Sequence, residues 1–278
     1  MKSNLFKLFS SVGLSSFLLL SSLGLLSPKK LEAQSLSGKP VLVFVDGYLD
    51  CCAHNMHVVR HGLATRFGAE IIDVTWDGYI KTPGRENWSG TLNPYRRSND
   101  SAFTNQAPKL INEIDPNRPV ILIGHSFGGD SILKILPRIK RSILFVGVID
   151  PVAIGGVRWP IKSYIVPSNV RYFYNRWQQN ALGAGGGYNL FPLDNRVVNG
   201  QISCNAAQCD QDAQNLARKG DGSPIKVPCR SLEVSCQGYQ PWPGGSNGFK
   251  SRRLSHEEMP TDDYIQVKIR DIIDSLLR

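Results

Sequence analysis

What most constrains this chain is a recurrence of short apolar runs: 41-VLVFVDG-47, 70-EIIDVTW-76, 119-PVILIGHS-126, 143-ILFVGVID-150 and 170-VRYFYN-175. They are short and rich in Val, Ile and Phe, the composition of strands buried on both faces of a parallel sheet. Helical spacing fills the gaps. The first helix is expected over roughly 54–66, where Met56, Val59 and Leu63, with Phe67 just beyond, recur as a buried stripe. Further helices are expected over 101–114 and over 128–136, the latter stopped by Pro137. The last runs over 262–277, with Thr261 as N-cap, Asp262 and Asp263 in the first turn, and Ile265, Ile269, Ile272, Ile273 and Leu276 along one side. Strand and helix in alternation predict a doubly wound α/β fold, a mainly parallel sheet with helices on both faces. Ligands of such sheets bind beyond the carboxyl ends of the strands. With 278 residues and 41% hydrophobic content the chain can bury one large core.

The first residues do not belong to that pattern. Lys2 and Lys7 precede an apolar, serine-diluted run to about Leu26, and a polar stretch containing Ala33 follows. This is the layout of a secretory signal peptide spanning 1–33, with Leu31 an imperfect residue for the cleavage site and an uncleaved anchor as the alternative. Residues 34–278 then form the folded domain, in a secreted or periplasmic setting. Export places six cysteines in an oxidising compartment, where an even number favours disulfides. Cys204, Cys209, Cys229 and Cys236 cluster and are expected to pair among themselves. Cys51 and Cys52 are left for each other or for distant partners. Zinc is the alternative for the cluster, although Cys-x4-Cys and Cys-x6-Cys are not the tight knuckle spacings.

Without residues 1–33, which hold four Lys and one Glu, the net charge falls from +9 to +6. Basic residues concentrate in 134-KILPRIKR-141 and 250-KSRR-253. They suit an anionic surface or substrate, and no nucleic-acid motif accompanies them. Residues 176–250 have little periodicity and contain 183-GAGGG-187, the four clustered cysteines and 241-PWPGG-245. They read as a Cys/Gly-rich insertion, a lid or an acyl-binding wall carrying Trp177, Tyr188, Phe191, Tyr239 and Trp242, or a stretch with a small core of its own.

The chemistry concentrates in 120-VILIGHSFGG-129. A strand that ends in Gly-x-Ser-x-Gly and turns at once into a helix is a nucleophile elbow: Gly124 and Gly128 make room for a tight turn, and Ser126 is held in a strained conformation with its hydroxyl raised above the sheet. On this motif and the order of its elements, the chain resembles the α/β-hydrolase superfamily, on its lipase or esterase side, over about 40–175 and 251–278. That resemblance implies a serine hydrolase of carboxylic esters, with the catalytic residues in the order Ser, Asp or Glu, His.

Serine needs a base to take its proton, and the base needs a carboxylate to fix its tautomer. Five histidines are present. His125 adjoins Ser126, and neighbours on an extended chain point to opposite sides. His54, His57 and His61 share one face of the first helix, offset from its apolar stripe, as a solvated polar face or a surface metal site. His256 remains, in 253-RLSHEEMP-260 before the final helix, where α/β hydrolases place the base. Asp150 ends the strand after the nucleophile's and precedes Pro151, an Asp-Pro step shared with pancreatic-type lipases. The next strand has no acid at its end, which leaves Asp194 as the alternative. Asp130 is explained by the dipole of the elbow helix.

The oxyanion hole is expected from the N–H of Phe127 and of Tyr48 or Leu49, with Asp46-Gly47 standing where many lipases have His-Gly. Asp-Gly-Tyr recurs at 77–79, again after a strand, either lining the site with the first copy or as an ordinary turn signal. No metal or cofactor enters this chemistry. A small-molecule or lipid ester is the expected substrate, and a membrane surface an admissible partner. Thioesterases, acyltransferases and amidases would use the same three residues, and a binding protein on a catalytically dead scaffold is the non-enzymatic alternative.

Overall fold

The structure, a computed structural model, describes residues 38–47, 52–76, 102–152, 163–180, 200–228 and 249–278. All belong to the unit Ser35–Arg278. The expected signal segment, Cys51, Asp194, Cys229, Cys236, both glycine-rich runs and the second Asp-Gly-Tyr lie outside the described residues.

A six-stranded sheet organises the molecule. Its strands are β1 (Val41–Asp46), β2 (Glu70–Thr75), β3 (Val120–His125), β4 (Ile143–Ile149), β6 (Val170–Trp177) and β8 (Gln208–Ala213). Their spatial order is β2-β1-β3-β4-β6-β8, and all five pairings are parallel. Short strands β5 (Ile165–Val166) and β7 (Ser203–Cys204) pair with each other, as do β9 (Lys226–Pro228) and β10 (Phe249–Ser251). Every residue of β1, β3 and β4 is buried, as a sheet covered on both faces requires.

Alternation along the strands sorts the core into two layers. Val41, Val43, Val45, Val120 and Leu122 face α2 (Ala102–Glu113) and α3 (Phe127–Ile135), meeting Phe103, Ile111, Ile132 and Ile135. Leu42, Phe44, Ile121 and Ile123 face α1 (His57–Phe67) and α4 (Asp263–Leu277), meeting Val59, Leu63, Ile265, Ile269 and Ile273. Each such side chain contributes about 1.5–3 kcal/mol relative to exposure. No helix among the described residues is long and apolar enough to cross a membrane.

Three expectations are corrected. The first helix begins at His57, because Ala53–Asn55 is a separate 3-10 turn with Met56 between them. Asp262, not Thr261, caps α4. Its carboxylate accepts from the Ile265 N–H at 3.1 Å, while Thr261 lies in the preceding 3-10 turn. Most consequentially, residues 208–213 are not insertion but the edge strand β8. Its sequence, QCDQDA, has no apolar alternation, and polar bonds hold it to β6 instead. Arg176 pairs with Asp210 at 2.6 Å, the Tyr172 hydroxyl donates to Asp210 at 3.2 Å, and Asn175 donates to Gln211 at 3.1 Å. Burial, then the Asp210 charge and hydrogen bond, push the Tyr172 hydroxyl up to about 12. Cys204 and Cys209 are joined by a disulfide, which removes the zinc reading for the cluster, and Cys52 is also disulfide-bonded.

Candidate active site

The strand order places a switch point between β1 and β3, because the chain leaves β1 toward β2 on one side and returns to β3 on the other. The carboxyl ends of β1, β3, β4 and β6 present Asp46, Ser126, Asp150 and Gln178 at one edge of the sheet.

Ser126 stands between β3 and α3 with φ 56° and ψ −124°. A non-glycine residue there costs of order 1–3 kcal/mol and persists only where its surroundings impose it. Its two glycines are the surroundings. A Cβ on Gly128 would lie 2.0 Å from the Val45 carbonyl oxygen, and one on Gly124 would lie 2.7 Å from the Gly128 backbone. Helix α3 is therefore seated directly on the end of β1, and all its residues but Lys134 are buried. Serine at a helix N-cap ordinarily bonds the second or third N–H of the helix, yet the Ser126 side chain makes no capping bond.

Asp150 follows β4, is 0% exposed, and also has positive φ, at 42°. Backbone bonds lace it to the serine turn. The Ser126 N–H donates to Ile149 O at 3.1 Å, the Val152 N–H to Ser126 O at 3.1 Å, and the Asp150 N–H to Arg176 O at 2.6 Å. Its carboxylate accepts from His256 Nδ1 at 2.7 Å, through Oδ2. A carboxylate only accepts, so Nδ1 carries the proton, and in the neutral ring Nε2 is left as the basic nitrogen. Gln178, wholly buried, donates from its main-chain N–H to Oδ1 at 3.3 Å and from Nε2 to Oδ2 at 3.0 Å. Gln178 is a residue that sequence reasoning missed. Its only signal is its place just beyond β6, level with the end of β4, which Asp150 follows.

The loop bearing His256 is itself anchored. Glu258 accepts from the Ser255 N–H at 3.1 Å, from the Ser255 hydroxyl at 2.9 Å and from Arg252. Burial pushes the Glu258 carboxyl up, but the Ser255 N–H, the Arg252 guanidinium and the Ser255 hydroxyl outweigh it and hold the group below its ordinary value. From the other side, Asn180 donates to Leu254 O at 2.8 Å and to Asn215 O at 2.7 Å. His125, buried at the end of β3, has Nε2 2.9 Å from His256 O.

The histidine cluster expected along α1 is not one helical face. His54 precedes the helix, and its Nδ1 lies 2.7 Å from Asp46 Oδ2 while its main-chain N–H donates to Oδ1 at 2.9 Å. Asp46 is thereby a buried fastening for the turn after β1. His57 and His61 are exposed, and no group of three metal-ligating side chains occurs among the described residues. Asp130 lies buried in the first turn of α3. Phe127 opens that helix, where the positive end of the dipole faces the serine, and its ring meets Trp76 edge-on at 5.3 Å. Tyr48 and Leu49 fall outside the described residues.

No protein-family model matches the chain, and no curated protein matches it. Among solved structures it has a weak, partial similarity to the crystal structure of a metagenomic carboxyl esterase, at 11% identity and a TM-score of 0.38, over 86% of this chain and 77% of that one. A likeness this slight transfers no residue roles.

Proposed function

We propose that this chain is an exported serine hydrolase that cleaves carboxylic esters through an acyl-enzyme. The observation that carries the reading is the buried Asp150 carboxylate 2.7 Å from Nδ1 of His256, at the sheet edge where Ser126 stands on a strained turn. In this reading His256 Nε2 takes the Ser126 proton as Oγ attacks the acyl carbonyl. Asp150 holds the tautomer and stabilises the imidazolium that forms. The N–H of Phe127, with that of Tyr48 or Leu49, accommodates the oxyanion. The imidazolium then protonates the departing alkoxide, and water, activated by the same imidazole, releases the acid. No metal or cofactor takes part. The N-terminal segment 1–33 directs export.

Hydrolysis of p-nitrophenyl esters of increasing chain length, beside Ser126→Ala, tests this. Turnover that disappears with Ser126 is expected. Turnover unchanged in the variant would remove the nucleophile, and a preference for long chains would mark a lipid ester as the substrate.

A further inference from the structure

We infer that His125, the residue before the serine, is a positioning residue that holds His256 in place through its Nε2–H. The inference rests on reading His256 as the base. Along β3, Ile121 and Ile123 face the layer of α1 and α4, so His125, two residues further, projects to the same side. That side carries the loop leading into α4, and His125 Nε2 meets His256 O at 2.9 Å. A carbonyl oxygen only accepts, so Nε2 of His125 carries a hydrogen in either charge state of the ring. The two imidazoles lie with centroids 4.4 Å apart and planes inclined by 35°.

His256 is thus held at two points, at its carbonyl by His125 and at Nδ1 by Asp150, with the His125 ring lying beside its own. An imidazole turns about two side-chain torsions. The Asp150 bond fixes where Nδ1 lies, while the main chain held by the His125 N–H limits the swing about that bond, so the direction of Nε2 is set. The support is covalently adjacent to the nucleophile, so drift of the His256 loop is opposed within one peptide unit of Ser126. His125 therefore serves the chemistry from the side of the strand opposite to the serine, without touching the hydroxyl.

A histidine that merely satisfies a buried carbonyl would contribute to stability and leave turnover alone, so the test separates the two. His125→Phe keeps a flat ring and loses the donor, whereas His125→Gln keeps an N–H donor of similar reach and loses the ring. Thermal midpoints of both accompany kcat and KM on a p-nitrophenyl ester. Misplacing a catalytic group costs roughly 10- to 100-fold. The Phe variant is expected to lose that much in kcat with KM within about threefold of wild type, and the Gln variant to stay within about threefold in kcat. Retained kcat in the Phe variant, or equal losses in both, overturns the inference. His125→Leu, also without a donor, takes the place of a Phe variant that does not fold, with the same expectation.

A second readout needs no turnover. The strongly deshielded proton between His256 Nδ1 and Asp150, followed by proton NMR, is expected in wild type and the Gln variant and broadened by exchange in the Phe variant. An unchanged signal in the Phe variant contradicts the role of His125. Absence of Ser126-dependent turnover in wild type would contradict the hydrolase reading alone.

Discussion

At the scale of single residues, two strained positions, one of them bearing a buried carboxylate, mark the candidate site. Ser126 and Asp150 are the only described non-glycine residues with positive φ, and backbone bonds join their turns. Gly128 makes the first of these turns achievable. Its substitution by alanine places a methyl group in the Val45 carbonyl, and we expect a loss of at least about 3 kcal/mol, read as a shift in the urea midpoint. Exchanging Asp150 for Asn presents an amide where the Nδ1 proton must point, which favours the wrong imidazole tautomer. Activity should fall by about 10⁴-fold while the fold persists. A fall of less than tenfold in the folded Asp150→Asn protein would assign the acid elsewhere, Asp194 being the alternative.

The tight turn at Ser126 between β3 and α3 was legible, because the close approaches at Gly124 and Gly128 leave no room for a side chain. Gln178 was not, because a hydrogen bond across 28 residues leaves no periodic trace, and Glu258 was not, because its bonds to Ser255 and Arg252 lie in an irregular loop that has no period to mark them. His125 was read only for its relation to Ser126. The same alternation that turns it away from the serine turns it toward α4, which sequence alone did not place on that face.

At the scale of elements, the loop between β10 and α4 carries His256, and Glu258 is its anchor. Its carboxyl titrates below the ordinary value when folded, so the stability it confers is present above the unfolded value and is lost as pH falls through the folded one. Glu258→Gln should lower the thermal midpoint at neutral pH, and the difference from wild type should close on acidification below the normal glutamate range. A difference independent of pH would mean that the carboxylate's charge plays no part. The cap of α4 shows a limit of sequence reading at this scale. Thr261 and Asp262 are both acceptable caps, and what selects Asp262 is tertiary: its second oxygen also accepts from the Arg218 N–H at 2.8 Å.

At the scale of the molecule, five of the six sheet strands announced themselves by apolar composition, and the sixth did not. β8 is held by side-chain polarity rather than by burial of apolar groups, which is why it read as part of an irregular insertion. Asp210→Ala should release Arg176, whose side chain is 7% exposed, at a cost of about 2 kcal/mol, below that of a fully buried pair because Asp210 is itself 27% exposed. Because Asp210 helps to raise the Tyr172 hydroxyl, the same variant should ionise Tyr172 at lower pH than the value of about 12 in wild type, visible as tyrosinate absorbance in an alkaline titration. In wild type, folding is favoured by the neutral phenol below its unfolded value of 10.0, and that contribution is lost as pH rises toward about 12.

The most direct measurement of the central claim is covalent. Folded protein treated with a fluorophosphonate, digested and mapped by mass spectrometry should carry a single adduct on Ser126, absent in Ser126→Ala and formed far more slowly in His256→Ala. Folded protein that takes up no label, or that labels as fast without His256, would contradict the account.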